Sequence, residues 1–244
     1  MSADPTGKAG TFRALHRRTA PGDPLVLPGP WDAASARAFA GAGFAALATP
    51  SAGVAASLGY VDGRTPPDEM FAAVARVARS VDVPVSADVE DGYGLPPGEL
   101  VERLLAAGAV GCNLEDSSRG ALKDPYAHAD WLAEVRAAAG DLLFLNARVD
   151  TFLHGDGDPE RALERAAAYV AAGADCVYPI LAPPALLPLL RSGIDGPVNA
   201  YCDPTRGPSP AELGELGATR VTFGPWPQRM ATAALTEIAA ALKP

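Results

Sequence analysis

The chain has 244 residues, is 48% hydrophobic and 20% charged, and carries a formal net charge of −9, the profile of a soluble globular protein that buries a core of its own. That balance excludes a nucleic-acid or anionic-membrane surface, which needs clustered Lys and Arg. It leaves a small anionic metabolite open, because one local Arg and a metal ion override the global field.

From the N-terminus, short apolar runs alternate with Ala/Leu-rich segments of helical spacing. Leu25–Pro28 reads as a strand, with a helix over about Asp32–Ala42. Ala45–Thr49 precedes a helix over about Pro67–Ser80, Pro84–Val89 one near Pro97–Ala107, and Val110–Leu114 one near Ala129–Ala139. The second half repeats the scheme. Leu142–Ala147 precedes Pro159–Ala172, Cys176–Pro179 precedes Pro183–Arg191, Val198–Tyr201 precedes Pro210–Leu216, and Arg220–Phe223 precedes Gln228–Leu242. Gly43, Gly108, Gly173 and Gly217 end helical patterns, and prolines 67, 97, 159, 183 and 210 begin them, as helix termination and the spare first-turn N–H favour. Strands alternating with helices imply a parallel sheet, and eight such units in this length imply a closed (β/α)8 TIM-type barrel. No linker divides the chain, so residues 1–244 read as a single domain, with about the first ten flexible. An open doubly wound sheet is the weaker alternative, since no G-x-G-x-x-G follows the first strand.

No apolar signal core leads the sequence and no run approaches about 18 apolar residues, so the expected compartment is the cytoplasm. Cys112, Cys176 and Cys202 form no C-x-x-C pair, and neither a disulfide framework nor a zinc site is read. Cys112 and Cys176 lie in apolar runs as small buried hydrophobes, and only Cys202 falls near the catalytic face. His16 and His154 read as surface residues, and His128 lies beside a helix start.

In a barrel of this kind the active site lies at the C-terminal ends of the strands. Those ends read Trp31-Asp32, Ser51-Ala52-Gly53 with Asp62 beyond, Asp88-Val-Glu90-Asp91-Gly-Tyr-Gly94, Asn113-Leu-Glu115-Asp116 and Asn146-Ala-Arg148-Val-Asp150. Acids therefore gather after the second, third and fourth strands, with an Arg on the fifth. Asp88 and Glu90, two apart, face the same side of a strand. Hard oxygen ligands on adjacent strands suit Mg²⁺, which also offsets the mutual repulsion of the acids. Arg148 would hold a substrate carboxylate as a planar, bidentate partner. Asp32 and Asp116 also fit as helix N-caps, and Trp31 fits either packing or the pocket wall.

Trp31-Asp-Ala-Ala-Ser35, Ser51-Ala-Gly-Val-Ala-Ala-Ser-Leu-Gly59, Asp88-x-Glu90-x-Gly-Tyr-Gly94, Asn113-Leu-Glu-Asp116 and Asn146-Ala-Arg-Val-Asp150 resemble, in order, the motifs of the isocitrate lyase/phosphoenolpyruvate mutase superfamily. The motifs span about half the chain. The resemblance implies a Mg²⁺-dependent barrel, with Mn²⁺ as a substitute, acting beside the oxo group of a small 2-oxo or 2-hydroxy carboxylate through an enolpyruvate-like anion. Asp88 matches the direct metal ligand. Asp62, Glu90 and Glu115 match acids holding the metal through water, and Arg148 matches the substrate-binding arginine. Ser51, Ala52 and Gly53 match a loop that binds substrate carboxylate, with Trp31 and Asp88 beside it. Asp62, Glu115 and Arg148 form the catalytic set, and the resemblance further implies a homo-oligomer, dimer or tetramer, built partly through C-terminal helices.

The chain also departs from the pattern. Glu90 stands where Asp is usual. The loop after Glu115, Ser117-Ser-Arg-Gly-Ala-Leu-Lys123-Asp-Pro125, has neither the Cys and His of the carbon–carbon lyases nor the Lys-Thr-Asn-Ser of the mutases. Pro179-Ile-Leu181 replaces a glutamate after the sixth strand. The proton donor is therefore expected to be a metal-held water or a non-thiol side chain, Tyr93 or Ser117. The leading expectation is a Mg²⁺-dependent carbon–carbon lyase. The alternatives are a phosphonopyruvate-type phosphorus–carbon mutase or hydrolase and a non-catalytic metabolite-binding barrel. A Schiff-base aldolase is nearly excluded, because Lys8, Lys123 and Lys243 all lie off the strands.

Overall fold

A computed structural model of the chain describes residues 5–17, 20–155 and 157–243. Eight parallel strands form the centre: β1 (Leu25–Leu27), β2 (Leu47–Ala48), β3 (Val85–Asp88), β4 (Gly111–Glu115), β7 (Phe144–Val149), β8 (Cys176–Pro179), β9 (Asn199–Tyr201) and β10 (Arg220–Thr222). Between β4 and β7, β5 (Ser117–Ser118) and β6 (Ala121–Leu122) form a small antiparallel hairpin. Ladders run β1-β10-β9 and β2-β3-β4-β7-β8. The Val177–Val198 bridge joins β8 to β9, and Ala48 N–H donates to the Pro28 carbonyl at 3.2 Å to join β2 to β1. The sheet is thus a closed α/β barrel, as the alternation predicts.

Helices α2 (Ala33–Gly41), α4 (Pro67–Ala78), α5 (Pro97–Ala106), α6 (Pro125–Ala139), α8 (Pro159–Ala171), α9 (Leu187–Gly193), α10 (Pro210–Glu215) and α11 (Trp226–Ala241) follow the barrel strands. Proline opens α4, α5, α6, α8 and α10. Gly173 and Gly217 take φ of +97° and +111°, and a Cβ at either would lie 2.8 Å from an arginine side chain. Only glycine suits both demands. Helix α6 starts at Pro125, before its expected start, because Asp124 caps the free N–H groups of Tyr126 and Ala127 at 3.1 and 2.9 Å.

Three helices lie outside the expected units, one of them the four-residue α7 (Thr151–His154) just after β7. Helix α1 (Pro5–Leu15) lies where the sequence reading has a flexible lead, and it packs across the N-terminal end of the barrel. Its Phe12 is fully buried against Phe144, ring centroids 5.3 Å apart. His16, read as a surface residue, is buried just beyond it. Its ring stacks on Phe144 at 3.9 Å, and Nδ1 meets the Phe12 carbonyl at 2.8 Å. Burial first, and the Arg220 charge second, push the imidazole down to about 3. Helix α3 (Ser51–Leu58) occupies the segment read as a carboxylate-binding loop.

The core is continuous from strand to helix. Leu100, Val101 and Leu104 of α5 and Ala162, Ala166 and Tyr169 of α8 pack onto Ala87, Cys112, Leu114, Leu145 and Ala147 of the sheet. The inner face of α8 also carries a charged residue, Arg165. No helix among the described residues is long and apolar enough to cross a membrane.

Candidate active site

The site is built where β3, β4 and β7 end. Asp88 is the last residue of β3 and pairs in register with Asn113 of β4. Its carboxylate accepts the Glu90 N–H at 3.3 Å and a backbone bond from Ser51, the first residue of α3. The resembling segment Ser51-Ala52-Gly53 is therefore the first turn of a helix, where backbone N–H groups are free to face an anion. Burial raises the Asp88 carboxyl, opposed by the Arg148 charge.

Glu90 does not continue the strand. Strand β3 stops at Asp88, and Glu90 turns in the left-handed region at φ +53°, so the period-two argument for a shared face fails there. The two acids still sense each other. Burial, then the charges of Asp88 and Asp62, push Glu90 up to about 7. Asp62 itself is exposed in the turn after α3. Tyr93 also takes a positive φ, +58°. Its hydroxyl and Glu90 Oε1 are buried with no protein partner. Burial and the surrounding acids, Glu90 first, hold that hydroxyl above its usual range.

On the next two strands, Glu115 and Arg148 pair in register, and Arg148 Nη1 forms an ion pair with Glu115 Oε1. Asp150, which the sequence reading left without a role, takes the other edge of the guanidinium. Its oxygens accept from Arg148 Nε at 2.5 Å and Nη2 at 2.9 Å. Burial works against the Arg148 charge, but these carboxylates more than offset it and hold the group protonated. Burial also pushes Glu115 up to about 9 against the pull of Arg148. Ser117, a candidate proton donor, spends its hydroxyl on Asp150. Asp116, read as an N-cap, is fully buried and caps nothing; it accepts the Asp150 N–H at 2.8 Å. Asp32 does cap its helix, in a reciprocal box with Ser35.

Beneath the acids lies a polar floor. Asn113 Oδ1 accepts from Asn146 Nδ2 at 2.7 Å and from Arg220 Nη2 at 3.2 Å. Arg220 is fully buried and starts β10, so it reaches across the barrel to β4. A charged residue heading the apolar Arg220–Phe223 run was the available signal for it. Trp31 packs with Val54, Met70 and Ala73, and it lines a cleft with Asp32, Arg37, Leu58 and Arg76 that contains none of Asp62, Asp88, Glu90 and Glu115. His128 is buried in α6 and pushed down to about 3 by its burial, so it is neutral at pH 7 and not an imidazolium acid.

Mg²⁺ is usually held by one or two carboxylates, waters and substrate oxygens. Among the described residues no group of three or more His, Cys, Asp or Glu side chains is arranged to hold a metal ion by itself. The donors fit the open kind of site. The Asp88 charge raises both Glu90 and Glu115, Glu90 also raises Glu115, Arg148 lowers all three, and Glu90 Oε1 has no donor. A divalent cation would supply the positive charge these acids lack.

The chain matches the phosphoenolpyruvate phosphomutase family model over residues 12–243. A Burkholderia cenocepacia J2315 structure assigned as a phosphonomutase superposes with a TM-score of 0.87 at 42% identity, covering 96% of this chain and 99% of that one. An uncharacterised Mycobacterium tuberculosis H37Rv protein is 37% identical over 89% of this chain and 83% of its own. A Corynebacterium glutamicum protein assigned as 2-methylisocitrate lyase 2 is 32% identical over 77% of this chain and 65% of its own. The family and its assigned relatives are enzymes, lyases and mutases among them. On this match and fold, the chain is a member of the isocitrate lyase/phosphoenolpyruvate mutase superfamily.

Proposed function

We propose that this chain is a Mg²⁺-dependent lyase that cleaves a carbon–carbon bond of a small 2-oxo or 2-hydroxy carboxylate through an enolpyruvate-like anion. The observation that carries the reading is the Arg148 guanidinium, clamped by Asp150 at the edge of an acid cluster. A guanidinium has five N–H donors. Bonds to Asp150 and Glu115 use three, leaving one on each terminal nitrogen for a substrate carboxylate. Asp88, Glu90 and Glu115, with the exposed Asp62 outside them, would hold the metal. When bound, the metal supplies Lewis-acid stabilisation of the anionic oxygen.

The remaining roles fall to the chain itself. Arg148 orients the substrate carboxylate and adds positive charge where negative charge develops. The first turn of α3 presents N–H groups from the other side. Tyr93 keeps its proton and has no protein acceptor, whereas the Ser117 hydroxyl is committed to Asp150. Of the two non-thiol donors, these partners favour Tyr93 over Ser117 for moving a proton to the reacting carbon.

The similarity to a structure assigned as a phosphonomutase supports a second reading, phosphorus–carbon chemistry on the same enolate-stabilising scaffold. A panel of 2-hydroxy and 2-oxo carboxylates, with phosphonopyruvate included, distinguishes the two. Mg²⁺-dependent release of a 2-oxo acid supports the lyase. Rearrangement of phosphonopyruvate or phosphate release supports the second reading. Full activity in EDTA overturns the metal assignment in either case.

A further inference from the structure

We propose that Arg165 and Tyr169, on the outer helix α8, are positioning residues that set the orientation of Arg148 inside the barrel. They act through Asp116 and Asp150. Strand β7 ends just before Asp150, whose φ of −93° and ψ of 14° are no longer extended and whose N–H meets a side chain. Asp116 Oδ1 catches that N–H at 2.8 Å. Asp116 Oδ2 is held in turn from α8, by Arg165 Nη1 at 2.9 Å and by the Tyr169 hydroxyl at 2.8 Å, and these two meet each other at 3.1 Å. Where Asp116 sits therefore fixes where the Asp150 carboxylate meets Arg148.

Each member of this chain is buried, so water cannot replace a lost partner, and an uncompensated carboxylate there is costly. Asp116 and Asp150 share the space with Glu115, and Arg148 is the cation that faces the substrate side. Arg165 supplies the second positive charge from behind, which spares Arg148 from serving both aspartates. Arg165 Nη2 also donates to the Lys123 carbonyl at 2.8 Å, and Lys123 N–H donates to the Asp116 carbonyl at 2.8 Å. The same anchor thus pins the base of the β5–β6 hairpin, whose Ser117 bonds Asp150. Residues 165 and 169 are one helical turn apart on the buried face, so a single helix can present both.

The value of this orientation to a substrate carboxylate rests on the function proposed above, so the test has a readout that does not. The ¹⁵Nε–¹H resonance of Arg148, assigned by its loss in Arg148→Lys, reports the Asp150 clamp directly. In Arg165→Met with an intact fold, its Nε–H exchange with water should accelerate by about tenfold or more, the scale of one lost charge-assisted hydrogen bond. Mg²⁺-dependent oxalate binding should weaken by a similar factor. Arg165→Lys should restore part of both, and Tyr169→Phe should fall between. Unchanged exchange in a folded Arg165→Met overturns the proposal. Should that variant not fold, unchanged exchange in both Arg165→Lys and Tyr169→Phe overturns it. A wild type that binds no oxalate, combined with faster exchange in Arg165→Met, refutes the proposed function and leaves the positioning role standing.

Discussion

Glu115 and Arg148 occupy partnered positions on adjacent parallel strands, and their side chains pair at the mouth of the barrel, one pushed toward neutrality by burial and the other held charged. The pair makes Arg148 the hinge between the acid cluster and the Asp150 clamp.

Replacing Arg148 by Lys keeps the charge but removes the planar fork that Asp150 grips at two nitrogens. An ammonium cannot reproduce bidentate geometry. Losing one hydrogen bond to a charged group corresponds to about 1.5–3 kcal/mol, so the dissociation constant for oxalate should rise by roughly ten- to a hundredfold. Calorimetry in the presence of Mg²⁺ measures this, and an affinity equal to wild type would remove Arg148 from the substrate site.

The raised carboxyls give the metal-free protein a defined pH dependence. A group whose folded pKa exceeds its unfolded value makes the folded state the better proton binder, so stability falls as pH rises between the two values. For Glu90 the window runs from 4.5 to about 7, and for Glu115 from 4.5 to about 9. Buried His16 and His128, pushed down to about 3, act in the opposite sense below about pH 6.5, so in EDTA the melting temperature should decline from about pH 7 to about pH 9, and Mg²⁺ should recover most of that loss. Mg²⁺ should bind more tightly at about pH 8 than at about pH 6 and release protons, read from calorimetry in buffers of different ionisation enthalpy. A melting temperature that climbs from about pH 7 to about pH 9 in EDTA contradicts the assignment.

The barrel was legible because the strand–helix units share local signals: an apolar run in each, a proline start in five and a glycine stop in four. Asp88, Glu115 and Arg148 were legible because strand ends map to one face of a barrel. What escaped depends on side-chain direction at positions where the backbone leaves its regular path. Glu90 turns left-handed two residues past the end of β3. Asp116 looks like a helix cap but points inward, and Arg165 and Tyr169 look like ordinary residues of an amphipathic helix. His16 was taken for a surface residue because helix α1, which carries its ring into the barrel floor, has no apolar stripe to announce it.

The cysteines should matter to stability and not to chemistry. All three are buried, and burial pushes the thiols of Cys112 and Cys176 up to about 12. Burial raises Cys202 as well, and its Sγ lies 3.5 Å from the Pro208 carbonyl. A thiol active in proton transfer needs exposure and a lowered pKa. Cys112→Ala and Cys176→Ala should each cost about 1 kcal/mol of stability, the centre of the range for point changes, with turnover unchanged. Cys202→Ser is the sharper trial. A folded variant with kcat reduced by about 10²–10⁴, the cost of deleting a general acid or base, would place a thiol in the mechanism.

Helix α11 ends the described chain with Met230, Leu235, Ile238 and Leu242 exposed at 48%, 63%, 54% and 78%, and it buries no residue of its own. Leu235, Ile238 and Leu242 follow the three- and four-residue spacing of one helical face. An exposed apolar stripe of this kind marks a protein–protein contact more often than a solvated surface. A second copy of the same chain can satisfy it with a symmetric, closed interface. The expected state is a dimer or tetramer, and light scattering at micromolar concentration should give a multiple of the chain mass. Leu235→Glu combined with Ile238→Glu places two charges on that stripe and should shift the mass toward monomer. Because neither side chain is buried within the chain, the melting curve of the dissociated species should still show a cooperative fold. A strictly monomeric wild type would assign the stripe to no self-association, and an unshifted mass in the double variant would move the interface elsewhere on the barrel.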